Sequence, residues 1–436
     1  MPPGSATVAA PGRGEQAGRV TTLPGSPARA PAAYAAPTSA GERSPAPDML
    51  RGIALLGIAL ANSVYFIADR PTGPLGRPTD GTELDHVADV LVGTLVDNRA
   101  FPLFTMLFAY GFTVILRRQA AAGVDGPRAR RLLLRRSLAL MLFGTLHVVL
   151  LFEGDILLSY GILGLVLVAL YRAPDRAFTV LAATSAVVFL VVAGADGLTA
   201  SEGSGGVLGL GDDGTFLGDL AGRAVTLAGL LVATPVLVGQ LVPLAALGIL
   251  LGRRRVLEEP AAHLPLLRGL ALVGIPVSVL GALPLVLAAV GALDAGPVAL
   301  YLLGVLHGAT GVAGALGLVG IVGWAVAARA RRGDPAGPVL RALIAVGRRS
   351  MTCYLLQSVL FALLLEPWSL GLGVGAGTAR IALVAIGVWL VTVAVAVALE
   401  RRGLAGPAER AIRRLAYGRP PVPPTSAGPG APVSAG

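Results

Sequence analysis

The chain has 436 residues, is 54% hydrophobic and only 14% charged, and carries a formal net charge of +10. Soluble domains run at roughly 45–50% apolar and ~25% charged residues, so this composition excludes an ordinary soluble enzyme and indicates an integral membrane protein. Every basic residue is arginine, which excludes lysine Schiff-base chemistry, and the single cysteine, Cys353, excludes intramolecular disulfides, cysteine zinc sites and iron–sulfur clusters.

Residues 1–47 are rich in Pro, Ala, Gly and Ser, lack an apolar core and are expected to be disordered. They show no short apolar region of the secretory-signal type. Residues 48–417 read as one polytopic transmembrane domain, and 418–436 as a second disordered tail. Length and apolarity place about ten spanning segments, at 49–67, 100–116, 132–151, 156–171, 177–193, 228–251, 266–293, 298–328, 350–365 and 381–399. The fold class is therefore all-α, a polytopic helical membrane bundle with disordered termini.

Arginine is concentrated in alternate connections. RRQAAAGVDGPRARRLLLRR joins segments two and three, YRAPDR joins four and five, GRRRVLEEP follows six, ARARRGDP follows eight, and ERRGLAGPAERAIRRL closes the domain. The remaining connections hold Asp80, Glu83, Asp85, Asp89 and Asp97, then Glu153 and Asp155, then Glu202, Asp212, Asp213 and Asp219, then Asp294. The excess of arginine on one side places both termini in the cytoplasm and the chain in the cell membrane, with the lipid bilayer as its surroundings. Topology accounts for the basic charge, and no nucleic-acid partner is expected. In the first acidic connection, Leu84, Val87, Val90, Leu91 and Leu95 recur at helical spacing and predict a short amphipathic helix on the outer face. The Gly- and Asp-rich stretch 194–222 reads as an outer loop and a candidate lid.

Polar groups inside apolar segments point to function, because an ionisable side chain in hydrocarbon needs a partner or a task. Asp48 and Arg51 share one face at the start of the first segment. They read either as an interfacial anchor with a snorkelling arginine or as a guanidinium clamp for phosphate or carboxylate. Arg99, after Asp97 and Asn98, is an anchor or a substrate-binding group at the start of the second segment. His147 precedes the acidic turn by about 9 Å along the helix axis at ~1.5 Å per residue. It reads as an interhelical hydrogen-bonder or as a general base whose tautomer Glu153 or Asp155 would set, should the hairpin fold them back. The two carboxylates read equally as an exposed turn around Gly154. His307 sits mid-segment among small residues and reads as packing. Thr352, Tyr354, Gln357 and Ser358 give the ninth segment a polar face of interhelical glue, with Gln357 turned to the bundle. The four histidines lack metal-ligand spacing, and no metal or bound cofactor is expected.

The blocks LRGIALLGIALAN, RAFPLFTMLFAYGF, RRSLALMLFGTLHVVLLFEGDILLSYGILGL, GRRSMTCYLLQSVL and GPAERAIRRLAYG together resemble the YeiB-like family, whose C-terminal half, about 228–417 here, is the domain of unknown function 418. Two departures are Cys353, where the family tends to have Asn, and the absence of an aromatic near Arg410. The family is distantly similar to a superfamily of multi-span membrane acyltransferases, with Arg51-Gly52 as the shared feature. That resemblance implies acyl-CoA as a donor substrate and a glycan or small molecule as acceptor. On an acyltransferase reading, His147, Glu153 and Asp155 form the catalytic group, with Arg51, Arg99, Tyr354 and Gln357 as the substrate-binding group. The other readings are a transporter with a His/carboxylate proton relay, its helices broken at Pro235, Pro243, Pro276 and Pro284, and a non-catalytic scaffold.

Overall fold

A computed structural model describes residues 44–198, 201–202, 214–334 and 336–418. Most of the N-terminal tail, the C-terminal tail beyond 418 and much of the proposed lid lie outside the described residues. The folded part begins a few residues before the expected boundary at 48. Helix α1 (Ala46–Ser63) has Pro45 at its N-cap and buries Ala46 completely.

The chain continues through α2 (Glu83–Leu95), α3 (Ala100–Ala121), α4 (Gly126–Leu150), α5 (Leu157–Leu170), α6 (Asp175–Gly194) and α7 (Phe216–Arg253). It then forms α8 (Leu264–Ala289), α9 (Pro297–Arg332), α10 (Pro338–Arg348), α11 (Ser350–Leu365), α12 (Thr378–Arg401) and α13 (Pro407–Tyr417). Two-residue strands, β1 (Pro71–Thr72) and β2 (Ser201–Glu202), pair antiparallel. Among the described residues, eight helical stretches are long and apolar enough to cross a membrane, and α5 and α11 are shorter apolar helices. The protein is thus an all-α, multi-pass membrane protein, and each of the ten segments read from the sequence corresponds to a helix. Helices α5 and α11 have 14 and 16 residues. At ~1.5 Å per residue they reach roughly 21 and 24 Å, short of the ~30 Å hydrocarbon core.

Three local features differ from the sequence expectation or sharpen it. Helix α2 forms where predicted, started by a reciprocal cap in which the Thr82 and Asp85 side chains each accept from the other's backbone N–H, at 3.3 Å and 2.9 Å. It turns Asp85 and Asp89 inward and leaves Leu84, Val87, Leu91 and Leu95 exposed, an orientation suited to lipid. The prolines of α7 and α8 do not break their helices, and α7 runs unbroken for 38 residues, absorbing the end of the stretch read as a loop. Neighbouring helices can satisfy the backbone carbonyl that a proline frees. Finally, α10 and α13 are short helices inside the arginine-rich connections, which the sequence reading treated as loops. The excess of arginine hid an apolar stripe on each, made of Ile344, Ala345 and Val346 in one and Ala408, Ile412 and Ala416 in the other.

Small residues set how closely the helices approach, as is usual where lipid removes the hydrophobic drive between helices. Helices α1 and α10 meet at Gly52 and Gly347, where an added Cβ would lie 2.4 Å from the Leu343 carbonyl oxygen and 1.8 Å from that of Asp48. Helices α8 and α9 meet along Gly274, Gly314, Gly317 and Gly320. Because backbone blocks the added carbon at Gly52, Gly52→Val should push α10 away. The thermal midpoint of the purified protein in detergent should fall by an amount equivalent to about 1–3 kcal/mol. An unchanged midpoint would contradict this contact.

Candidate functional site

The hairpin between α4 and α5 folds back on itself. Asp155 caps α5, its Oδ2 accepting from the Leu158 N–H at 2.7 Å. This brings the carboxylate under α4 because residue 144 is glycine: a Cβ there would lie 2.1 Å from Leu158 N and 2.8 Å from Asp155 Oδ2. The other oxygen, Asp155 Oδ1, lies 2.9 Å from His147 Nδ1, a close contact that lacks the alignment of a full hydrogen bond. Both side chains are fully buried. On the far side of the ring, His147 Nε2 is 2.8 Å from Ser358 Oγ on α11. A carboxylate beside Nδ1 favours the tautomer that carries its proton there, which leaves Nε2 to accept from the serine hydroxyl.

The result is a Ser358–His147–Asp155 line, drawn from α11, α4 and the turn before α5. Its residue types and order are those of nucleophile, general base and orienting acid. Ser358 is the member missed by sequence reasoning. It had been placed on a polar helix face, and only its position four residues after Tyr354 in an apolar helix set it apart.

A cavity of about 760 Å³ lies on the other side of Tyr354, which lines it, while none of Ser358, His147 and Asp155 does. Its mouth lies among the arginine-rich ends of the helices, with Arg51, Arg117, Arg136 and Arg413 in its wall. Its inner end is formed by Phe104, Tyr160, Ile156, Leu157 and Tyr354. The Tyr354 ring separates the cavity from His147, with ring centroids 5.0 Å apart. The Tyr354 hydroxyl is buried without a partner in hydrogen-bond geometry. Toward the opposite, acidic end the line is closed by aromatic rings: Phe152 stands 6.3 Å from His147, and Phe66 packs on Phe152 at 5.4 Å and on Phe361 at 5.5 Å.

The other candidate residues divide between the cavity and separate clusters. Arg51 is in the cavity wall, held by Asp48 at 3.1 Å and the Leu107 carbonyl at 3.4 Å. Gln357 donates to the Leu55 carbonyl at 3.3 Å and leaves Oε1 buried without a partner. Glu153 does not reach His147. It accepts from Thr226 on α7 at 3.3 Å and belongs to the acidic end. Arg99 is likewise elsewhere, donating to Ser278 Oγ at 2.9 Å, the Ser278 carbonyl at 2.7 Å and the Gly93 carbonyl at 3.2 Å, and contacting His307 Nε2 at 2.7 Å. His307, read as packing, is thus the ring against which Arg99 is buried. Cys353 makes only a 3.9 Å contact with the Thr392 carbonyl, so it supplies little of the hydrogen bonding an Asn could offer there. Among the described residues no group of three or more His, Cys, Asp or Glu is placed to hold a metal ion.

Two further contacts hold α11, and so Ser358, in place. At its arginine-rich end, Glu409 of α13 accepts from the Met351 and Thr352 N–H groups at 2.8 and 3.1 Å, covering donors that the first turn leaves open. At the other end, Glu366 pairs with Arg223 of α7 at 2.5 Å, and Asp219 accepts from Arg223 at 3.2 Å and from Trp368 Nε1 at 2.6 Å. Burial raises the Glu366 carboxyl to about 7 from an ordinary 4.5; Arg223 opposes the shift, and Asp219 and Glu153 add to it. A raised acid favours its protonated form in the fold, so the folded state is penalised as pH rises from about 4.5 to about 7. Thermal midpoints of the wild type minus Glu366→Gln should therefore fall across that window and level off above it. A flat difference would show that Glu366 ionises normally.

Residues 251–419 match the family described as "Protein of unknown function (DUF418)". "Uncharacterized protein YxaH" of Bacillus subtilis is 32% identical over 160 residues, 36% of this chain and 39% of that protein. "Uncharacterized protein YeiB" of Escherichia coli is 32% identical over 134 residues, 30% of this chain and 32% of that protein. These matches span about a third of the curated relatives' length. No solved structure matches. The chain thus carries a DUF418 region on its C-terminal side and is similar, over about a third of its length, to the YxaH and YeiB proteins.

Proposed function

We propose that the protein transfers an acyl group from acyl-CoA to a hydroxyl of an envelope glycan or small-molecule acceptor, with His147 as general base. The observation that carries this reading is the position of the buried His147–Asp155 pair. It lies one side chain, Tyr354, beyond the inner end of an arginine-mouthed cavity. An acyl-CoA is anionic at its phosphates and reactive at a thioester on the end of a long arm. Arg51 and Arg136 suit the phosphates, and the apolar inner wall suits the arm. Along α4, His147 is eleven residues beyond Arg136, about 16 Å at ~1.5 Å per residue. The cavity therefore covers much of the depth that a donor held on the cytoplasmic side would have to cross. Asp155, rather than Glu153, takes the orienting role in this scheme. Arg99, engaged with Ser278, Gly93 and His307, takes none.

A second reading is proton-coupled transport, favoured by a cavity at one end and an aromatic closure at the other. In it, His147 and Asp155 would relay a proton. Donor dependence separates the two.

Purified protein given acyl-CoA and a glycan acceptor should release free thiol. His147→Ala should lower the rate by about 10²–10⁴-fold, the range for loss of a general base. Absence of release from the folded wild type with short and long acyl donors, alongside solute uptake in vesicles, would favour transport. Arg136→Gln should raise KM for the donor while largely sparing kcat, as expected for loss of binding that ground state and transition state share. A fall in kcat alone would remove Arg136 from the donor site.

A further inference from the structure

We propose that Ser358 is the acyl carrier, so that transfer proceeds in two steps through an acyl-serine. The proposal rests on the acyl-transfer reading for its donor but on separate geometry for its nucleophile. The basic nitrogen of His147 is not open to an incoming hydroxyl, because Ser358 Oγ already sits 2.8 Å from Nε2. In this arrangement the hydroxyl from which His147 can take a proton is the serine's. The alternative acceptor for that O–H, the Tyr354 carbonyl, lies at 3.4 Å and is the weaker partner. Ser358, His147 and Asp155 are all buried, which excludes the water that would hydrolyse an ester intermediate. Ser358 is also one helical turn from Tyr354, which walls the cavity, so displacement of that one ring joins donor space to nucleophile. The buried Tyr354 hydroxyl, on the same face and beside the Ile156 backbone, is a donor available to a developing oxyanion.

In the first step Ser358 Oγ attacks the thioester carbonyl carbon, and its proton passes to His147 Nε2. The C–S bond breaks, and the departing thiolate takes that proton to leave as free CoA thiol. In the second step an acceptor hydroxyl attacks the serine ester, giving its proton to Nε2. The bond from the acyl carbon to Ser358 Oγ breaks, and the serine recovers the proton. No oxidant, reductant or metal enters the balance. Asp155 holds the ring from its Nδ1 side.

The test uses the full chain in detergent, with acetyl-CoA and a long-chain acyl-CoA as donors. A fluorophosphonate, which phosphonylates an activated serine with loss of fluoride, serves as a donor-independent probe. Without acceptor, the wild type should release one equivalent of thiol in a burst and gain one acyl group, mapped to Ser358 by peptide mass spectrometry. Ser358→Ala should lose the burst and slow turnover by about 10³-fold or more while still showing a cooperative thermal transition. Ser358→Cys should hold the acyl group as a hydroxylamine-sensitive thioester. Thiol release by Ser358→Ala at the wild-type rate would overturn the acyl-serine and leave acyl transfer standing as a direct reaction. Fluorophosphonate labelling of Ser358 that requires His147, with no thiol release from either donor, would keep the nucleophile and sink the acyl-CoA reading. Neither labelling nor release from the folded protein would overturn both, leaving Ser358 as the hydrogen-bond partner that fixes the histidine.

Discussion

Hydrocarbon offers no water to a polar group, and the structure is organised around that constraint. Backbone groups are satisfied by continuous helices, including α7 and α8 with their internal prolines. Polar side chains must find partners on other helices, and each such pairing fixes one helix against another. His147 joins α4 to α11 through Ser358 and to the turn before α5 through Asp155. Arg99 and His307 join the start of α3 to α9, while Ser278 brings in α8. At the arginine-rich end, Glu400 of α12 takes Arg348 and Arg349, each at 2.6 Å. Near neighbours in sequence, such as Glu153 and Asp155, consequently serve different parts of the bundle.

The two short apolar helices border the site: Ser358 lies on α11 and Asp155 in the turn before α5, while His147 comes from α4. Helices α5 and α11 cannot span a full bilayer core alone, and the space they leave is filled differently at each end. Toward the acidic side, the chain after α11 closes through Glu366, Trp368 and the Phe66–Phe152–Phe361 rings. Toward the basic side, α10 and α13 pack around the first turn of α11 and leave a cavity instead of a solid core. A buried polar line with a cavity on one flank and packed aromatics on the other differs in kind from the Arg99–His307 cluster. Arg99 is enclosed by hydrogen bonds from neighbouring helices and is read as structural. The His147 line adjoins a buried tyrosine hydroxyl and empty volume, and is read as chemical.

Much of the architecture was legible from the residues alone. Apolar length and the alternation of arginine-rich with acidic connections determined the membrane class and the ten apolar helices, because transfer of a span into lipid depends on its summed hydrophobicity and hardly on its neighbours. The spacing of Leu84, Val87, Leu91 and Leu95 determined α2 for the same local reason. Helices α10 and α13 were hidden, since their stability comes from packing an apolar stripe against α1, α4 and α12 and their composition is that of a basic loop. His147 stood out because one imidazole in an apolar run is costly wherever it points. Which carboxylate orients it, which hydroxyl meets its far nitrogen, and that Arg99 belongs to another cluster were decided only by tertiary structure. Those answers depend on a glycine at 144 that lets a turn fold under α4, and on the rotation that aligns Ser358 of α11 with a ring over two hundred residues away in sequence.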